Sequence, residues 1–167
     1  MKEKIFIEGG KRLSGSIPIS GAKNSCLTLM PLSLLTESAL TLKNVPILSD
    51  VETMKTLLES LGCVVSYKKS EKILNLKMSD KPLFLADYEI VKKMRASILV
   101  LGPLLARFGK AMVALPGGCA IGARPVNLHL MALEALGASF SIENGYVKGK
   151  VANSLKGCKI EFPFESV

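Results

Sequence analysis

Ten residues, Pro116-Gly-Gly-Cys-Ala-Ile-Gly-Ala-Arg-Pro125, hold one thiol, Cys119, and one guanidinium, Arg124, in a glycine-rich stretch. Gly117, Gly118 and Gly122 let the backbone bend into conformations with φ > 0 and approach a ligand closely. A guanidinium near a thiol lowers its pKa, and the same fork of donors can hold a phosphate. The stretch therefore reads as a loop built for thiol chemistry beside an anion. The only histidine, His129, follows Cys119 by ten residues and raises the alternative of a Cys–His hydrolase. On a helix entered at Val126 it lies beside Leu133, near an apolar stripe, which makes it a packed or edge side chain. Nothing else in the sequence suggests a cysteine hydrolase.

What must position this loop is a scaffold that occurs twice. Leu34-Leu35 followed by Pro46 returns 70 residues later as Leu104-Leu105 followed by Pro116, and the same offset pairs Lys23 with Lys93. Further on, Leu58-Glu-Ser-Leu-Gly62 returns as Leu133-Glu-Ala-Leu-Gly137, now 75 residues later. The second copy has gained five residues between Pro116 and Leu133, the interval that contains Cys119 and Arg124. Function is commonly carried by loops grafted onto a repeated scaffold, although a tolerated surface insertion has the same length signature.

Each copy reads as helix, strand, turn, helix, strand, strand. In the first copy a helix over Asn24 to Leu35 and a strand over Ala39 to Asn44 precede a capping box, Ser49-x-x-Glu52. Val51, Met54, Leu58 and Leu61 then form one apolar stripe that stops at Gly62, and strands follow near 64–67 and 73–77. In the second copy the spacing predicts a helix from Glu89 to Arg107, a strand at 110–115 and a helix at 126–136 entered through Pro125. Strands near 139–142 and 146–151, joined by Asn144-Gly145, close it. Two amphipathic helices and a sheet per unit imply an α/β or α+β architecture.

Composition supports one apolar core and an anionic partner. The 167 residues are 49% hydrophobic, and Lys plus Arg outnumber Asp plus Glu by 22 to 14, a net charge of +8. A solvated basic surface would give the same sum. Nucleic acid is disfavoured, because the lysines are scattered, tryptophan is absent and aromatics are only 5%. Cys26, Cys63, Cys119 and Cys158 show no zinc-ligand spacing, and no signal peptide is evident, so reduced cytoplasmic thiols and no metal or other cofactor are expected. Three of them, Cys26, Cys63 and Cys158, read as small buried hydrophobes. The longest apolar run, Ala96 to Ala106, is shorter than the ~20 residues of a membrane span and contains Gly102 and Pro103, so it reads as a buried helix.

Four motifs carry a family resemblance: Ser20-Gly-Ala-Lys-Asn24, Arg95-Ala-Ser-Ile98, Leu101-Gly-Pro-Leu-Leu-Ala-Arg107, and Leu115 through the Cys119 loop to His129. Together they resemble the bacterial enolpyruvyl transferases that act on UDP-N-acetylglucosamine, over the whole chain. The resemblance implies transfer of the enolpyruvyl group of phosphoenolpyruvate to the sugar 3-hydroxyl with release of phosphate, the first committed step of peptidoglycan synthesis. It also implies a target of fosfomycin and an inside-out α/β barrel of βαβαββ units. By the same resemblance Cys119 is the catalytic proton donor, Lys23, Asn24 and Arg124 bind phosphoenolpyruvate, and Arg95 and the run Arg124, Pro125, Val126, Asn127 and Leu128 bind UDP-N-acetylglucosamine. Lys and Arg are the donors that two phosphate-bearing ligands require, and Lys23 stands at a helix start, where free N–H groups favour an anion. Asn127 stands where many members carry Asp, which removes a charge but keeps an acceptor. A lysine that some members use near the nucleotide is not evident in Phe162-Pro-Phe-Glu-Ser-Val167.

Spacing alone adds an expectation about length. If Lys23 and Lys93 open successive first helices, the 75-residue period of the longer unit places a third such start at 168, one past Val167. The sequence thus reads as segment 1–20, which in the family belongs to a second domain, followed by units 21–88 and 89–167, with a third unit and the second domain outside it. Residues 1–167 alone are expected to bind UDP-N-acetylglucosamine weakly, to lack turnover for want of a general base, and to self-associate or to need a complementing C-terminal chain. The alternative is a non-catalytic UDP-sugar or anion-binding remnant, or half of a split enzyme.

Overall fold

The computed structural model describes residues 4–115 and 126–163. In chain order these hold α1 (Lys23–Leu29), a 3-10 helix (Met30–Leu34), β1 (Leu40–Leu42), α2 (Ser49–Ser60), β2 (Cys63–Lys68), β3 (Ile73–Met78) and β4 (Leu85–Ala86). There follow α3 (Tyr88–Val91), a second 3-10 helix (Arg95–Val100), α4 (Leu101–Phe108), β5 (Lys110–Ala114), α5 (Asn127–Ala135), β6 (Ala138–Glu143) and β7 (Tyr146–Val151). The first sheet has the order β1-β3-β2, all antiparallel, with Leu42 opposite Leu74 and Cys63 opposite Met78. The second has the order β4-β5-β7-β6, in which β4 runs parallel to β5 and the other pairs are antiparallel.

The sequence repeat is therefore a structural one. The succession β1, α2, β2, β3 and the succession β5, α5, β6, β7 give the same sheet order, each with the last strand in the middle. The helix that each encloses ends the same way, at Gly62 with φ +97° and Gly137 with φ +105°. Only glycine adopts that conformation without strain, which explains why both copies stop at one. Asn144 and Gly145, at φ +51° and +78°, make the two-residue turn the sequence predicts between β6 and β7. This is the expected α/β mixture; no closed barrel forms among the described residues.

The core lies between the sheets and the helices that cross them. The α2 stripe is fully enclosed: Val51, Met54, Leu57, Leu58 and Leu61 are each 0% exposed. Around it pack α1, both 3-10 helices, α3 and β4, so the first copy's central helix is covered partly by the second copy. Arg107 fastens the two copies. Its Nη1 donates to the carbonyls of Leu34 (3.2 Å) and Thr36 (2.7 Å), satisfying the end of the first 3-10 helix, while its guanidinium lies 5.0 Å from the Phe108 ring centroid.

Several local expectations are corrected. The helix expected over 24–35 becomes α-helical and then 3-10 at Met30, where Pro31 withholds an N–H from the ladder. The helix expected over 89–107 is three pieces, and Pro103 in the first turn of α4 accounts for the break before it. Ser49 makes no capping box: α2 starts behind Leu48 with no side-chain cap, and Glu52 instead reaches Lys69 at 2.7 Å on the β2–β3 connection. The strand β4 carries only two residues and was too short to give a periodic signal. Among the described residues no helix is long and apolar enough to cross a membrane.

Candidate functional site

The residues singled out from the sequence fall at the starts of helices. Lys23 is the first residue of α1, behind an extended Ala22 that offers no side-chain cap. Its Nζ lies 2.9 Å from Asp50 Oδ2 in the first turn of α2, an ion pair that is partly exposed on both sides. Asn24 follows it on the exposed surface of α1. Arg95 opens the second 3-10 helix, is exposed, and belongs to an element in contact with α1. Asn127 opens α5 and is exposed, Val126 before it is 8% exposed, and Leu128 is half-buried.

The charge of Arg95 reaches the first turn of α5. Partial burial, and after it the positive charge of Arg95, hold the His129 imidazole below the ordinary histidine value. Lys23 is thus paired with Asp50 in the first turn of α2, and the Arg95 charge is felt at His129 in the first turn of α5. Asp50 was not singled out from the sequence. Its acidic side chain in a first helical turn has a sufficient reason in the helix dipole, and only the fold brings Lys23 to it.

Cys119, Arg124 and Pro125 lie outside the described residues, as do residues 164–167. The other thiols separate cleanly. Cys26 and Cys63 are buried, and burial pushes both above the usual thiol range, in Cys63 against the opposing effects of a Ser33 hydrogen bond and the Arg107 charge. They are packing residues, as expected. Cys158 is not: it is exposed, with Sγ 3.2 Å from the Ala135 carbonyl at the end of α5. Among the described residues no group of three His, Cys, Asp or Glu side chains is placed to hold a metal ion.

Because His129 is the only histidine, its titration can be read without assignment. The midpoint is expected below the ordinary value of about 6.5, and Arg95→Ala should move it upward by removing that charge. Since the folded state holds fewer protons there than the unfolded one, stability should be complete above that ordinary value and fall as pH drops through the folded midpoint. An NMR titration giving a midpoint at or above the free-histidine value would contradict this placement.

Comparison with known proteins extends over the same residues. The sequence profile of the family described as EPSP synthase (3-phosphoshikimate 1-carboxyvinyltransferase) matches residues 7–167. A UDP-N-acetylglucosamine 1-carboxyvinyltransferase of Dinoroseobacter shibae is 58% identical over 99% of this chain, and one of Sphingopyxis alaskensis is 52% identical over the same share. The chain spans 39% and 40% of the length of these relatives. Among solved structures, the enolpyruvyl transferase NikO from Streptomyces tendae superposes with a TM-score of 0.74 at 20% identity, covering 91% of this chain and 33% of that one. An EPSP synthase from Acinetobacter baumannii superposes with a TM-score of 0.67 at 16% identity, covering 91% and 35%. At those identities the superpositions speak for the fold.

Proposed function

This chain belongs to the EPSP synthase family, and from that premise we propose that it forms part of an enzyme transferring the enolpyruvyl group of phosphoenolpyruvate to the 3-hydroxyl of UDP-N-acetylglucosamine. The observation that carries the reading is identity of 52–58% along essentially the whole chain to proteins named for that transfer. The product would enter peptidoglycan synthesis, and the reaction would run in the cytoplasm.

In this reading Lys23, Asn24 and Arg124 bind phosphoenolpyruvate, and Arg95 with Arg124 to Leu128 binds the UDP-sugar. Addition across the enol double bond puts a proton on the methylene carbon and the sugar oxygen on the central carbon, where positive charge develops. The hydroxyl proton passes to a general base that the residues assigned here do not supply, and loss of phosphate together with one proton of the new methyl group then regenerates the double bond. Cys119 supplies the proton, and Arg124, five residues further along the sequence, is the cation that would lower the thiol's pKa. The cationic groups stabilise phosphate as it leaves. Residues 21–88 and 89–167 are the first two scaffold units of a larger domain, and residues 4–20, which hold no helix or strand and leave Ile5, Phe6 and Ile7 about nine-tenths exposed, pack against another part of the enzyme.

The test is phosphate release with both substrates by the protein carrying this chain, together with calorimetric titration of phosphoenolpyruvate. Lys23→Ala and Arg124→Ala should each weaken that binding by about 2–4 kcal/mol, because each leaves an anion without a charged partner. Unchanged affinity in both variants would refute the assigned roles. Binding of the UDP-sugar with no turnover under any condition would favour the non-catalytic alternative.

A further inference from the structure

The connection from β1 to α2 does more than span two elements. Asn44 within it stands at φ +55°, in the left-handed region that asparagine tolerates better than most residues. Its side-chain Nδ2 donates to the carbonyl of Ile19 at 3.2 Å. Its own carbonyl oxygen presses on Gly21: a Cβ added to Gly21 would lie 1.9 Å from that oxygen and 3.3 Å from Cδ of Pro46. A contact under 3.0 Å with backbone leaves no room for any side chain, so residue 21 must be glycine while the two segments touch.

The turn that presses on Gly21 is itself anchored on the first sheet. Val45, 2% exposed, donates its N–H to the Lys72 carbonyl at 2.9 Å, and the Tyr67 hydroxyl donates to the carbonyls of Val45 (3.4 Å) and Pro46 (3.3 Å). Two residues beyond Gly21 the first helix begins at Lys23, with the Cys26 N–H donating to the Ala22 carbonyl at 3.0 Å. The β1–α2 connection leads directly into the first turn of α2, where Asp50 holds the Lys23 ammonium at 2.9 Å. Backbone and head group of Lys23 are therefore both fixed from one segment.

We infer that Asn44 is a positioning residue for Lys23 and Asn24: its side chain on Ile19 and its carbonyl against Gly21 fix the backbone entering α1, and so the direction in which the two side chains meet a phosphate-bearing substrate. The inference rests on the binding role proposed above for Lys23 and Asn24. It accounts for three features that stability alone leaves unrelated, namely a strained non-glycine turn, an amide spent on a carbonyl 25 residues earlier, and a glycine at the point of closest approach.

The test compares the full chain with Asn44→Gly, which keeps the left-handed turn accessible and deletes only the amide, and with Gly21→Ala, which forces the segments apart. Two quantities are read. Hydrogen exchange at the Cys26 amide should accelerate about tenfold in Asn44→Gly, the equivalent of one hydrogen bond's net worth, while exchange at Val147 in the second sheet stays as it was. The dissociation constant for phosphoenolpyruvate should rise by a similar factor in Asn44→Gly and more in Gly21→Ala, with that for UDP-N-acetylglucosamine unchanged and the melting temperature of Asn44→Gly lowered by no more than about 2–4 °C. Unaltered exchange at Cys26, or faster exchange with unaltered phosphoenolpyruvate affinity, would overturn the inference. If the parent chain binds no phosphoenolpyruvate, the functional reading fails, and exchange at Cys26 still decides whether Asn44 fixes the start of α1.

Discussion

Cys119→Ser is expected to lower turnover by about two to four orders of magnitude, the usual contribution of a positioned general acid, with little change in affinity for the UDP-sugar. The substitution is nearly isosteric, so what changes is acidity: a thiol titrates near pH 8.5 and lower beside a cation, whereas a hydroxyl holds its proton many orders of magnitude more tightly. A proton donor must also be a group that can take the proton back, and a serine does neither near neutrality. The other thiols offer no substitute. Cys26 and Cys63 are 7% and 5% exposed and are pushed by burial toward the neutral thiol, while Cys158 lies at the far end of α5 from its opening residue, Asn127. Steady-state kinetics check the first claim. Reaction with fosfomycin, an epoxide, followed by mass mapping checks the second: the adduct should sit on Cys119, and an adduct on Cys26, Cys63 or Cys158 in its place would remove Cys119 from the chemistry.

The sequence was most legible where one local rule sufficed. Gly62 predicted a helix end, Asn144-Gly145 a hairpin, and Val51, Met54, Leu58 and Leu61 a buried face, and each depends on only a few neighbouring residues. The long helices read from 24–35 and 89–107 failed because prolines at 31 and 103 shift the hydrogen-bond pattern without changing the apolar periodicity. Ser49-x-x-Glu52 has the capping-box signature, yet Lys69, 17 residues beyond Glu52, takes its carboxylate, and no local rule registers that competitor. The site divides along the same line. Lys23 stands out as a cation at a helix start and Arg95 only through its family motif, while Asp50 opposite Lys23 and Asn44 behind Gly21 acquire meaning only once the β1–α2 connection is folded back onto the chain entering α1.

Leu58→Ala should cost about 2–5 kcal/mol, the range for emptying an enclosed leucine site, while the repeat-equivalent Leu133→Ala should cost no more than about 1 kcal/mol, as for a partly exposed position. The two leucines occupy matching places in Leu-Glu-x-Leu-Gly, so propensity and local sequence cannot separate them. Their surroundings can. Leu58 is 0% exposed beneath elements from both copies of the repeat, whereas Leu133 is only half-buried on α5, a helix with no buried residue whose main contacts run to β6. For a domain of this size each kcal/mol moves the melting temperature by about 2–4 °C, so thermal or denaturant unfolding resolves the pair readily. An equally large loss at Leu133 would mean that the apolar face of α5 is covered in solution, by a second copy or by further chain, and that the free energy attributed here to one unit is shared with whatever packs there. In that event the deficit from Leu133→Ala should grow with protein concentration if a second copy supplies the cover and stay constant if the same chain does.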